Sequence, residues 1–140
     1  MAVITNTIPA TSQVNDAPTG SWVTPWLRAE GLAALVAGLA LYGLLGGPWL
    51  AVVPLLLVPD ASAVGYLRGA RLGAFGYNLV HNWALGLGVL GLGLATDSTG
   101  IALAGAILIA HTGMDRAMGY GLKLPTSFQD THLGRIGRGR

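Results

Sequence analysis

Cysteine is absent from the 140 residues, which excludes disulfides and thiolate metal ligands alike. Charge is scarce: 10% of residues are Asp, Glu, Lys or Arg, against about 25% in a typical soluble domain. Residues 1–26 contain no Lys or Arg, so no secretory signal with its basic n-region is expected there. Aromatic residues make up only 7%. What is there instead is apolar. Hydrophobic residues reach 52%, glycine contributes 22 positions, and the mean hydropathy is +0.58. With so little charge to solvate it, the chain reads as an integral membrane protein, without room for a second sizeable domain.

The apolar stretches divide into four membrane-length segments. The first runs over 27–45 and ends at Gly46, Gly47 and Pro48. The second starts at Trp49. Its most apolar ten residues span only about 15 Å as a helix, so it must continue past Pro59 and Asp60 to about Leu67 to cross. Pro54 and Pro59 predict a kinked helix, with Pro59 as the kink. The third segment covers 72–95 and the fourth 101–122, closed by Lys123, Leu124 and Pro125. Residues 1–26 read as a polar, disordered tail, 27–123 as an all-α bundle of four transmembrane helices, and 124–140 as a basic C-terminal tail.

Charge placement orients this bundle. Arg28, Arg68, Arg71, Lys123, Arg135, Arg138 and Arg140 fall on one side, and loops 46–48 and 96–100 carry no Lys or Arg. The positive-inside rule then puts both termini in the cytoplasm, with the chain in a cell inner membrane. Small-residue stripes at Ala29, Ala33, Ala37 and at Ala102, Ala106, Ala110 offer close helix contacts, within the chain or in a homo- or hetero-oligomer. Trp22, Trp26 and Trp49 fit interfacial belts. Gly86, Gly88, Gly91 and Gly93 lie inside an apolar helix. They are packing positions rather than a nucleotide loop, and nothing in the chain points to nucleic acid.

Ionisable groups inside these segments share a depth. At the helical rise, His81 lies about 15 Å, His111 about 18 Å, Asp115 about 12 Å, and Asn78 and Asp60 about 10 Å from the cytoplasmic ends. Asn78, His81 and Asn82 form one helix stripe, and His111 and Asp115 another. Lipid-facing His or Asp is costly, so both stripes should face the bundle interior. The candidate polar site is Asp60, Asn78, His81, His111, Asp115 and Arg116. Within it His81, His111, Asp115 and Asp60 are candidate ligands for a divalent metal: zinc, manganese or iron. Arg68, Arg71 and Arg116 offer positive charge to an anionic lipid headgroup. Asp130 and His132 would join the cluster if the C-terminal segment folded back. Glu30 reads more simply as a complement to the dipole of the first helix.

Two functions compete on this basis. One is a membrane-embedded site, metal-dependent or not, that acts on a lipid or other amphiphile. The other is a non-enzymatic partner subunit or assembly factor, whose polar layer serves as interhelical hydrogen bonds.

Five stretches carry a resemblance: Arg28 to Gly31, Pro59 to Tyr66, Tyr77 to His81, His111 to Lys123, and Phe128 to Gly134. Together they resemble a family of small bacterial membrane proteins catalogued as domain of unknown function 4260. The resemblance covers about residues 28–137. It implies a compact multi-pass inner-membrane protein and supplies no reaction.

Overall fold

A computed structural model describes residues 23–137, and the chain there is mostly helical. Trp22, Arg138, Arg140 and most of the expected N-terminal tail lie outside the described residues.

Helix α1 spans Val23–Leu44. It starts four residues before the sequence reading placed it, so residues 23–26 are helix rather than tail. Glu30 therefore stands two turns in, exposed, too far from the N-terminus to complement the dipole. The helix ends where the Gly47 amide reaches back to the Tyr42 carbonyl at 2.9 Å. Gly46 adopts the left-handed conformation this ending requires, with φ 78°.

The next helical segment runs from Trp49 to Arg68. A 3-10 turn over Trp49–Ala51 leads into α2, Val52–Leu57, and ten residues of 3-10 helix follow over Pro59–Arg68. Such a long 3-10 run is unusual. Pro59 marks the change of winding. The sharp bend of the chain falls elsewhere, between α3 (Ala70–Val80) and α4 (Trp83–Ala95), which meet at 41°.

That bend corrects the expectation of one unbroken helix over 72–95. Its cause is Asn82. The residue is extended, and its Oδ1 accepts from the Leu85 amide at 3.0 Å, an N-cap that starts α4 afresh. Its side-chain amide donates to the Asn78 and Leu79 carbonyls that end α3.

Helix α5, Thr99–Met118, is buried along most of its length. It stops at Gly119, left-handed with φ 87°. Helices α1 and α4 both pack on it in antiparallel fashion, through glycine. A Cβ at Gly38 would lie 2.6 Å from the Ala110 amide nitrogen, and one at Gly31 equally close to Ala117. On the other face Gly86 meets Ile109, and Gly93 meets Ala102. The stripe of Ala102, Ala106 and Ala110 is buried as expected, but Ala29, Ala33 and Ala37 point outward. The contact face of α1 is Gly31 and Gly38, because only the lack of a side chain permits so close an approach.

Trp49–Arg68 and Val23–Leu44 are each long and apolar enough to cross a membrane, and α3 with α4 make a third if the bent pair counts as one span. This suggests a membrane protein. Helix α5 has comparable length but carries His111, Asp115 and Arg116 in its second half.

Beyond α5 the chain turns back in a small hairpin. Strands β1 (Asp130–Thr131) and β2 (Gly134–Arg135) pair antiparallel, and Lys123 bridges to Thr131.

Candidate metal centre

Four of the polar residues converge. Nε2 of His81 lies 3.5 Å from Oδ1 of Asp60 and 3.9 Å from Oδ2 of Asp115. Nε2 of His111 lies 3.6 Å and 4.0 Å from the same two oxygens. The two rings meet edge to face with centroids 4.7 Å apart. Both histidines are fully buried, Asp115 is buried, and the Asp60 side chain is half exposed. The ligand atoms of Asp60, His81 and His111 all lie within 4.8 Å of one another.

Backbone oxygens set the state of both imidazoles. Nδ1 of His81 sits 2.8 Å from the Tyr77 carbonyl, and Nδ1 of His111 sits 2.6 Å from the Leu56 carbonyl. A carbonyl only accepts, so each Nδ1 must carry the hydrogen. In a neutral ring each Nε2 is then left with a lone pair. Both are buried without a hydrogen-bond partner. Buried polar atoms are nearly always satisfied. With neutral rings, two acceptors face two carboxylates across the gap.

The local sequence explains how these carbonyls become available. In a 3-10 register the Leu56 oxygen would face the nitrogen of Pro59, which has no hydrogen to give. The oxygen is thus left for His111. Tyr77 lies one turn before His81 on α3. Its ring stacks on the His81 ring at 3.6 Å, and its hydroxyl donates to Oδ2 of Asp115 at 2.6 Å. One residue thereby fixes both an imidazole and a carboxylate.

Asn78 and Arg116 take other tasks. The Asn78 side chain brackets the Lys123 backbone, donating to its carbonyl at 2.9 Å and accepting from its amide at 2.7 Å. Arg116 is buried and donates to the Tyr120 and His81 carbonyls at 2.7 Å and 3.2 Å. It therefore ties α5 to the break after α3 and does not stand at the mouth, whereas Arg68 and Arg71 are exposed.

The C-terminal segment does fold back, but Asp130 and His132 stay out of the cluster. Asp130 accepts from the Thr126 hydroxyl and lies 3.8 Å from Arg135. The Thr126 hydrogen bond is the main reason its carboxyl is held below the usual range. His132 accepts from the Leu122 amide at 2.8 Å. Burial, then the Arg116 charge, push its pKa below the ordinary value.

A family model described as Domain of unknown function (DUF4260) matches residues 24–136. The chain belongs to this family. No curated protein and no solved structure matches it.

The match makes the C-terminal hairpin part of the DUF4260 domain rather than an appendage. Sequence reasoning left two participants out of the site. Tyr77 could have been found from its position one turn before His81. Lys123 reads in the sequence as the end of a helix and one of the orienting charges, yet it is buried. Its ammonium donates to the Phe128 carbonyl at 2.9 Å and lies 3.9 Å from the Phe128 ring centre and 4.9 Å from that of Tyr77. Burial lowers its pKa, and the Asp115 and Asp60 carboxylates oppose that shift.

Asn78 is thus the clamp of the hairpin. Asn78→Ala removes both bonds to Lys123 and leaves two partly buried backbone groups unsatisfied. Each costs about 1–3 kcal/mol. The expected result is cleavage by added protease at 123–137 at least tenfold faster than in wild type, with the helices intact. Equal cleavage rates would show that the clamp contributes nothing.

Proposed function

We propose that this protein is a membrane-embedded metalloprotein. It binds one divalent ion, zinc, manganese or iron, through His81, His111 and Asp60, with Asp115 beside them. The observation that carries the reading is the pair of buried Nε2 lone pairs, each fixed by a carbonyl on the opposite ring nitrogen. Hydrogen bonds of this kind orient histidine ligands and set their tautomer. Tetrahedral ligands about 2.0–2.1 Å from an ion stand roughly 3.4 Å apart. The separations of 3.5 and 3.6 Å from Asp60 to the two imidazoles are close to that. Two imidazoles and a carboxylate suit a site with an open position. A bound ion there would supply Lewis acidity toward an oxygen of the substrate.

Four spans with both termini cytoplasmic complete the reading. Helices α1 and α4 both run antiparallel to α5, as the first, third and last spans of such a bundle would. The Lys and Arg residues gather at the ends away from loops 46–48 and 96–100. The site then lies in the cytoplasmic half of an inner membrane, where its substrate is a lipid or other amphiphile. The rival reading, a partner subunit whose polar layer only holds helices together, draws on the Tyr77–Asp115 and Arg116 hydrogen bonds.

Elemental analysis of protein purified in detergent separates the two. One equivalent of metal is expected in wild type, and less than a tenth of that in His81→Ala and in His111→Ala. Wild type without stoichiometric metal after incubation with each of the three ions would remove the metalloprotein reading.

A further inference from the structure

Beside the candidate metal centre lies a cavity of about 440 Å³. Asp60, Asp115 and Tyr77 form its polar end, and Leu57, Met114 and Phe128 are among its apolar walls. Lys123 also lines it. The two histidines are sealed off, and Asp60, half exposed, belongs to both the cluster and the cavity. This is the side on which the cluster meets the cavity. The volume suits a single small ligand.

Lys123 defines what that ligand is. It is buried, and among the described residues no carboxylate lies within ion-pair distance of it. Its ammonium gives one hydrogen to a carbonyl and faces two aromatic rings, weaker partners that an oxygen acceptor can outcompete. Arg116 is buried as well, its guanidinium turned to carbonyls. With a divalent ion in place, the positive charges of the ion, Lys123 and Arg116 outweigh those of Asp60 and Asp115. A buried excess of positive charge calls for an anion. The apolar walls call for a chain.

We propose that this cavity binds a single-chain anionic amphiphile, its oxygen head between Lys123 and the metal centre and its chain against Leu57, Met114 and Phe128. The proposal rests on the metalloprotein reading and specifies its substrate class. A fatty carboxylate and an alkyl phosphate share this chemistry.

The test is native mass spectrometry of the full protein in phosphatidylcholine nanodiscs, zinc-loaded and metal-free. Dodecanoate, dodecyl phosphate, dodecanol and acetate are the probes. Dodecanoate or dodecyl phosphate should bind zinc-loaded protein with a Kd at least tenfold lower than dodecanol or acetate, and the stronger of the two names the head. Lys123→Met should raise that Kd at least tenfold. Lys123 also holds the hairpin, so Met114→Trp, which fills the cavity without changing charge, is the second variant and should abolish binding. Equal binding of dodecanol, or of acetate, would overturn the proposal, as would both variants binding like wild type. Protein that takes up no zinc refutes the metal reading and the charge excess with it, leaving the Lys123 contact to carry the proposal. The cavity is then judged by the same variants in the metal-free spectra.

Discussion

Zinc added to metal-free protein should raise its unfolding midpoint, and the rise should vanish in His111→Leu. An ion that binds only the folded chain stabilises it by about 4 kcal/mol at a thousand times its Kd. The metal-free fold is where the argument bites. It holds two buried imidazole nitrogens without partners and two carboxylates facing them. Removing one imidazole in favour of an apolar side chain takes away an unsatisfied acceptor, so metal-free His111→Leu should be about as stable as metal-free wild type. It also leaves the Leu56 carbonyl without its partner, a cost of about 1–3 kcal/mol that the removed acceptor offsets. If the polar layer served packing alone, the pattern would invert. His111→Leu would be clearly destabilised without metal, and zinc would leave both midpoints unmoved. Thermal scans monitored by helix content, with and without zinc and a chelator, read out both arms.

The convergence behind this prediction was partly legible in the sequence. Counting residues at the helical rise placed Asp60, His81, His111 and Asp115 at comparable depth, and the cost of exposing them to lipid turned them inward. Depth and facing suffice because a helix converts sequence distance into geometry. They fail where the helix changes. The depth of His81 was counted along one continuous span, yet the chain breaks just after it, at Asn82. The signal is an Asn directly before the apolar run 83–95, an N-cap pattern that the stripe of Asn78, His81 and Asn82 masks. The role of the Leu56 carbonyl was beyond reach in a different way. It depends on the 3-10 winding around Pro59, and a proline announces a missing donor without saying which acceptor will profit. Asn78 and Lys123 show the limit for loops: no periodicity connects position 78 to a backbone 45 residues later. Small residues misled for a simpler reason. Ala29, Ala33 and Ala37 form a regular stripe, but a stripe says only that close approach is permitted. Gly31 and Gly38, on nearly the opposite side of the helix, permit still closer approach, and the buried face follows them.

That difference yields a large expected loss of stability. Gly38→Leu should prevent α1 from seating on α5. A Cβ at position 38 would stand 2.6 Å from the Ala110 nitrogen and 2.8 Å from the Ala106 carbonyl oxygen. Those are backbone atoms of a buried helix, and no rotamer can move them aside. Overpacking usually costs about 1–3 kcal/mol where side chains can give way. Here the helices themselves must separate, and about 3 kcal/mol or more is expected. The separation would also open the contact at Gly113, whose own Cβ would collide with Gly31 and Leu35. Ala37→Leu, one residue away on the exposed face, is the matched control. Lipid is as apolar as leucine, so an added side chain there meets neither strain nor gain. The measurement is the fraction of monodisperse, helical protein recovered in detergent on heating. Gly38→Leu should fail at temperatures where Ala37→Leu and wild type survive together. If the two variants instead fell together, both faces of α1 would be buried in an assembly, and Ala29, Ala33 and Ala37 would not form a free outward face. If neither fell, α1 would not be packed on α5 through glycine at all. Since α5 carries His111 and Asp115, seating of α1 is also a condition for the metal centre. Gly38→Leu should therefore lose zinc binding in step with its helical fold, without touching a ligand.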